Sequence, residues 1–199
     1  MKLTRWLGIG AASLTVASGA RGQEQQVEEP SFVLNPILSA GLTYGGDSIA
    51  SYDVHWGDVD AGGTLYYYGG INLEWPRRHV ALVLQGGRFV ASVSDYGFEE
   101  LGWLERWPLE AIVFLERKRL RGGIGAVLHL SPTFRDETTG GKLNFDDASG
   151  LLIEFDYLFA RFSLNARYVF VDYEVANEEL SGDHLGAGFT WRFGRRKTV

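Results

Sequence analysis

The feature that most constrains this chain is a regular alternation of apolar and polar residues in short segments. In residues 150–159 the odd positions from Leu151 onward carry large apolar side chains, while Glu154 and Asp156 occupy even positions. Successive side chains of an extended strand point to opposite faces, so a strand of this sequence has one oily and one polar wall. Residues 161–174 and 182–193 repeat the pattern. The alternation predicts an all-β protein.

Eight such segments follow one another along the chain. They cover about 36–45, 63–75, 78–91, 107–117, 121–131, 150–159, 161–174 and 182–193. Most are near the ~10 residues that a tilted strand needs to cross a bilayer. The long connections are 46–62, 92–106, 132–149 and 175–181, and the short ones are 76–77, 118–120 and 160. This regular exchange of long and short connections predicts a closed antiparallel up-and-down barrel of eight strands, with both chain ends on the short-turn side.

The polar wall carries formal charges, and these charges decide which of the two walls faces the interior of the barrel. A soluble carrier barrel is apolar inside, whereas a barrel that crosses a membrane sets its apolar wall against hydrocarbon. Eight strands leave an interior just wide enough for side chains, so charges enclosed there have to be paired. We predict a lumen charge network, formed by Glu74, Glu110, Arg121, Glu154, Asp156, Arg167 and Arg192. We expect four more polar residues to complete it, namely Asn72, Gln85, His129 and Asn165.

The apolar wall is predicted to face lipid. Its members are Leu151, Ile153, Phe155, Tyr157, Phe159, Phe162, Leu164, Tyr168, Phe170, Leu185, Phe189, Trp191 and Phe193. The third and fourth segments alternate less clearly, because Arg88 and the apolar run 112–115 blur the two faces. We therefore predict a β-bulge or a phase slip there.

The N-terminus predicts export. Lys2 and Arg5 precede a short apolar run, 6–17, and small residues allow cleavage after Ala20 or Gly22. An N-terminal membrane anchor is the alternative, but the run is short for a spanning helix. We divide the chain into a signal peptide (1–22), a polar leader in the periplasm (23–33), a barrel (34–193) and a basic tail (194–199).

Composition and charge narrow the remaining classes. The chain of 199 residues contains no cysteine, which excludes disulfides and thiolate metal sites. Its net charge of −6 argues against a nucleic-acid partner. The short turns carry mainly arginine and lysine and the long connections mainly aspartate and glutamate. We predict no cofactor and no specific metal site, because pairs such as Asp146-Asp147 match no defined calcium loop.

Over about residues 32–193 the layout resembles the small eight-stranded outer-membrane barrels of the OmpA, OmpX and OmpW type. The resemblance rests on the loop alternation and on the final segment 186–193, which ends in alternating aromatic residues and Phe193. The tail 194–199 is a departure, because such proteins usually stop at the phenylalanine. The resemblance implies a transmembrane barrel in the outer membrane of a Gram-negative bacterium, inserted by the barrel-assembly machinery. It also implies contact with outer-membrane lipid and lipopolysaccharide, and we expect a monomer.

Three functions remain open. The first, which we favour, is a structural or surface-interaction barrel with a filled lumen and acidic outer loops. The second is a lipid A deacylase resembling the PagL type, in which His129 activates Ser131 with Asp136, Glu137 or Asp147 as the orienting acid. Here Pro132 follows the serine, where that family has asparagine, and we expect no enzyme activity. The third is a narrow channel for small solutes.

Overall fold

The computed structural model describes residues 32–51, 58–94, 100–175 and 178–194. The predicted signal peptide, the leader up to residue 31 and the tail beyond Gly194 lie outside these residues. Val33, which we assigned to the leader, already belongs to the first strand, because it pairs with Glu74. In this part of the chain, no helix is long and apolar enough to span a membrane.

The described residues form strands joined by turns and one short 3-10 turn. The strands are β1 (Val33–Tyr44), β2 (Ser48–Ser51), β3 (Asp58–Asp60), β4 (Leu65–Trp75), β5 (Val80–Ser94), β6 (Glu100–Arg117), β7 (Leu120–Asp136), β8 (Gly141–Asn144), β9 (Ala148–Leu158), β10 (Phe162–Val175), β11 (Glu178–Ser181) and β12 (His184–Arg192).

Eight of these strands close into a ring. Each pairs with the next in the order β1, β4, β5, β6, β7, β9, β10 and β12, always antiparallel. The ring is sealed where β12 pairs back to β1, so Ile37 lies between Arg192 on one side and Gly70 on the other. The expected closed eight-stranded antiparallel barrel is therefore confirmed.

The two ends of the barrel differ. At the tight-turn end, β4 and β5 are joined by the 3-10 turn Pro76–Arg78, and β6 and β7 by Lys118 and Arg119. His79 and Lys118 take left-handed conformations there, with φ of 54° and 56°. The start of β1 and the end of β12 lie at this same end. The opposite, long-loop end carries four small strands: β8 and β11 extend the sheet beside β7 and β10, and β2 and β3 pair only with each other.

Strand β6 begins earlier and β7 ends later than we predicted. We assigned 92–106 and 132–149 to loops, but Gly102 pairs with Asp136 and Leu104 with Phe134. Beyond the ring the two strands still supply each other with backbone hydrogen bonds, which is why the hairpin continues. The barrel wall is therefore extended on one side of the long-loop end.

Strands β5 and β6 shift register only at their outer end, between Val93 and Ser94, and the bulge within the wall lies one strand further along than predicted. Strands β5 and β6 keep a constant register from Val80 opposite Leu115 to Val93 opposite Gly102, and Arg88 points outward. The bulge instead lies between β6 and β7, where residues 131 and 132 together face Arg106. Ser131 has a φ of 49° at this bulge. The apolar residues Ile112 and Phe114 simply point into the barrel, so they blur the sequence pattern without shifting it.

Adjacent glycines in β4 test the assignment of the two faces. A Cβ on Gly70 would lie 2.3 Å from the carbonyl oxygen of Leu84, whereas one on Gly69 would meet only Leu38 Cδ2 at 3.8 Å. We expect Gly70→Ala to lower the free energy of unfolding by about 1–3 kcal/mol through overpacking. The matched control Gly69→Ala should be neutral or stabilising by up to about 1 kcal/mol, since alanine loses less entropy on folding. Urea titration of the refolded protein measures both, and equal effects would contradict the placement.

Candidate functional site

The interior of the barrel is the candidate functional site, and its tight-turn half is ionic. All seven residues of the predicted charge network are buried, with at most 5% of each exposed. Arg121 Nε lies 2.5 Å from Asp156 Oδ2, and Arg192 Nη1 lies 3.5 Å from Glu74 Oε1. Arg167 has two acidic partners, Glu110 at 2.7 Å and Glu154 at 3.8 Å. Each of the four carboxylates thus has an arginine beside it.

Neutral side chains occupy further positions around these charges. Gln85 donates to Glu110 over 2.8 Å, and Asn72 donates to Glu74 over 2.6 Å. The hydroxyl of Tyr66 donates to Asn165 over 3.1 Å. A buried ion pair is tolerable only when hydrogen bonds satisfy the remaining polar atoms, and these groups supply several of them. The tight-turn half is therefore a packed, cross-linked interior.

The long-loop half of the interior is aromatic. His129 stacks on Tyr173, Phe89 lies tilted against His129, and His184 is set edge-on against Phe89. The predicted role of His129 in the charge network is wrong, because its Nδ1 bonds to the Tyr173 hydroxyl at 2.5 Å instead. Burial of these rings fills the barrel above the ion pairs.

Arg106 is a buried charged residue that the predicted network lacks. Its exposure is 0%, and its guanidinium carbon lies 3.9 Å from the ring centre of Phe89. We had assigned it to the loop 92–106 and begun the strand at Trp107. A signal was present, because alternation read backward from Glu110 places Arg106 on the same inward face.

The hairpin of β2 and β3 covers the long-loop end of the interior. Val59 of β3 and Ala61 directly after it are buried, and the carbonyl of Ala61 accepts a hydrogen bond from Arg106 Nη1. Asp47 fixes the start of the hairpin to the last connection. Its backbone N–H donates to the carbonyl of Ser181 over 2.7 Å, and its carboxylate accepts from the Ser181 N–H over 2.8 Å. The hairpin therefore lies over the mouth as part of the packed structure.

The electrostatics of the loops are local. Burial, and secondarily the nearby carboxylate of Asp58, raises the pKa of Asp60 in the covering hairpin. In the turn after β7, hydrogen bonds from the hydroxyls of Thr138 and Thr139 lower the pKa of Asp136 to about 2. Asp136 is therefore ionised across the physiological range and fixes that turn. Over the described ranges, no group of three or more metal-ligating side chains comes together.

The structure separates the candidate catalytic pair. We predicted that His129 and Ser131 point the same way, and this is wrong because the β7 bulge intervenes. His129 is buried, whereas Ser131 is exposed and its backbone N–H donates to Asp147 over 2.7 Å. The arrangement of a histidine activating a serine is not assembled here.

The outer wall is apolar. Eleven of the residues predicted to face lipid are exposed, from 37% for Tyr168 to 65% for Phe155. Phe159 and Phe162 are half-buried because they stack on each other across a tight turn, with ring centres 4.3 Å apart. Each of the other strands of the ring adds outward apolar side chains, among them Leu38, Tyr67, Leu84, Leu109 and Ile124.

A polar group interrupts this wall near the long-loop end. Arg88 and Glu105 form an ion pair of 2.5 Å on the outer face. The ring of Trp103 lies between two cations, 6.0 Å from Arg88 and 5.1 Å from Arg135. We call these four residues the rim patch.

Pairing and burial together define a closed eight-stranded β-barrel with an ionic interior and an apolar outer wall. No protein-family model matches the chain, and no curated protein does. Solved structures similar to it at low sequence identity include the following three. Neisserial surface protein A has 14% identity and a TM-score of 0.47, covering 82% of this chain and 98% of that one. Ail, the attachment invasion locus protein of Yersinia pestis, has 10% identity and a TM-score of 0.44, covering 79% and 97%. The outer membrane protein OprG of Pseudomonas aeruginosa has 12% identity and a TM-score of 0.41, covering 81% and 95%.

The Arg121–Asp156 pair yields a prediction about the buried network. We expect Asp156→Leu alone to lower the free energy of unfolding by about 3–5 kcal/mol, because it leaves Arg121 buried without its partner. The double variant Arg121→Met with Asp156→Leu should recover most of this loss, since an apolar pair replaces an ion pair. Denaturant unfolding in lipid vesicles gives the coupling energy.

The control is the outer-face pair Arg88 and Glu105, whose side chains are 34% and 20% exposed. There the corresponding cycle should give about 1 kcal/mol or less. A coupling near zero at Arg121 and Asp156 would show that the interior ion pair is not energetically linked.

Proposed function

We propose that the chain is an integral outer-membrane protein of a Gram-negative bacterium with a structural or surface-interaction role. The observation that carries this is the inverted barrel, with exposed large apolar residues such as Phe155 and Phe189 outside and buried pairs such as Arg121–Asp156 inside. Water-exposed apolar surface of this extent marks a membrane or protein interface. The ring of strands leaves no open edge, so its backbone groups need no water. The tight turns then lie on the periplasmic side and the long loops outside.

The filled lumen supports a structural role over transport. Salt-bridged side chains occupy the periplasmic half, aromatic rings occupy the outer half, and the β2–β3 hairpin covers the mouth. An eight-stranded ring has no spare width for a water-filled path beside them. We therefore propose a closed barrel.

We also propose that the protein is not a lipid A deacylase and needs no cofactor. The separation of His129 from Ser131 supports this. Ser181, Asp183 and His184 form another serine, aspartate and histidine grouping along the chain, in the last loop. There His184 Nδ1 bonds to the Gly182 carbonyl at 2.7 Å, and Asp183 accepts from the Val171 N–H over 3.0 Å. These side chains hold the loop in place.

The proposed partners are lipid and lipopolysaccharide, with insertion by the barrel-assembly machinery. The rim patch supports lipopolysaccharide as a partner, because Arg88 and Arg135 beside Trp103 suit the phosphates and sugars at the outer edge of the bilayer. Apolar side chains on every side of the barrel suit a monomer surrounded by lipid.

A depth series tests membrane insertion. Ile153 lies mid-strand on the outer wall of β9, and Ser149 lies on the same face nearer the long-loop end. We expect Ile153→Arg to lower the free energy of unfolding in phospholipid vesicles by about 2–4 kcal/mol, and Ser149→Arg by about 0–1 kcal/mol. In a soluble barrel both arginines would face water. Equal and small effects, with folding that needs no vesicles, would therefore reject the membrane assignment.

A conductance measurement tests the closed lumen. In planar bilayers we expect the wild-type protein to show no steady single-channel current in 1 M salt, because salt bridges and rings block the path. The matched variant Asp47→Ala removes the carboxylate contact of Asp47 to the Ser181 N–H, and it should leave the lumen closed by its side chains. A steady wild-type current would favour the channel function instead.

A further inference from the structure

The buried Arg106 at the outer end of the lumen stands apart from the ion-pair network. The four acidic groups of the interior each lie beside another arginine: Asp156 beside Arg121, Glu74 beside Arg192, and Glu110 and Glu154 beside Arg167. Among the residues that the structure describes, none of the carboxylates forms an ion pair with Arg106. An arginine stays protonated in proteins, so a full positive charge is enclosed here without an ion-pair partner among the described residues.

The unused donors of Arg106 have a defined arrangement. Nη1 donates to the Ala61 carbonyl, while Nε and Nη2 have no hydrogen-bond partner within the described part of the chain. Nε and Nη2 form one edge of the guanidinium, with two N–H bonds pointing the same way. That edge is the one that binds the two oxygens of a carboxylate or phosphate side by side.

We propose that the Nε–Nη2 edge of Arg106 binds a small oxyanion of carboxylate geometry, enclosed beneath the β2–β3 hairpin. Such an ion satisfies both donors and supplies the missing negative charge, whereas a water molecule would supply only hydrogen bonds. This site goes beyond the proposed structural role, because it gives the closed lumen a ligand.

The surroundings restrict the size of this ligand. Arg106 is fully buried, Phe89 covers one face of its guanidinium, and Tyr173 lies 5.3 Å away. His129 and His184 are also buried, and both lie against the ring of Phe89. Such an enclosed site with aromatic walls favours ions of the size of formate, acetate or bicarbonate over large phosphorylated molecules.

The test uses full-length folded protein in detergent, dialysed into chloride, with sodium acetate as the probe. We expect saturable stabilisation of the wild type by acetate, with the unfolding midpoint rising by about 5–10 °C at a hundredfold excess over Kd. Sodium chloride at equal ionic strength should not reproduce the rise. Isothermal titration calorimetry then gives the stoichiometry, which we expect to be one.

Variants separate the proposed site from general salt effects. Arg106→Lys keeps the charge but loses the two-pronged edge, so acetate should bind about tenfold more weakly or not at all. The control Arg77→Lys alters an exposed arginine in the tight turn between β4 and β5, at the opposite end of the barrel, and it should bind as the wild type does.

Two results would overturn the proposal, and neither requires a variant to fold. One is the absence of any saturable heat or midpoint shift with acetate in the wild type. The other is an equal response to acetate and chloride. If Arg106→Lys folds, undiminished acetate binding in it would also reject Arg106 as the site.

Discussion

Closure of the hydrogen-bonded ring between β1 and β12 is the constraint on which the rest of this structure depends. Once the last strand pairs with the first, every strand of the ring has a neighbour on both sides, and no edge remains to be covered. The two faces of each strand then lie in different environments, one inside the ring and one outside it. In a ring of only eight strands the enclosed space is narrow, so the inward side chains must fit and pair with one another. The ion pairs of Arg121 and Arg167 are the result of that confinement.

Alternation explains why so much of this fold could be predicted. In β9 and β10 every inward and outward position follows from the sequence alone, because a slip of one residue would place Glu154 outside and Phe155 inside. Prediction failed where local geometry overrides period two. The bulge at Ser131 depends on a left-handed residue and on a two-against-one pairing with β6, and nothing in the local sequence specifies that partner. Arg106 was missed for a different reason. The strand was begun at its first run of apolar residues, although the alternation continues toward its N-terminus.

The two halves of the interior solve the same packing problem with different chemistry. Near the tight turns, four carboxylates lie beside three guanidinium groups, with amides such as Asn72 and Gln85 donating further hydrogen bonds. Toward the loops, aromatic rings take over and a single guanidinium lies among them. The sequence predicts which charged residues belong to the ionic half, because the alternation places them on one face of their strands. The exact pairs, such as Arg167 between Glu110 and Glu154, depend on shear and side-chain length across the lumen, which no single strand encodes.

The seam between the first and last strands also has a kinetic consequence. The hydrogen bond between Ser39 and Thr190 joins residues 151 positions apart. Bringing such distant residues together costs chain entropy before the contacts stabilise anything. This chain therefore belongs with the slow folders of high contact order. Until the first and last strands pair, an open sheet exposes two unpaired edge strands together with its apolar face. This state is the most prone to aggregate. A catalyst that holds the chain ends together during insertion would therefore act on the step that this architecture makes slowest.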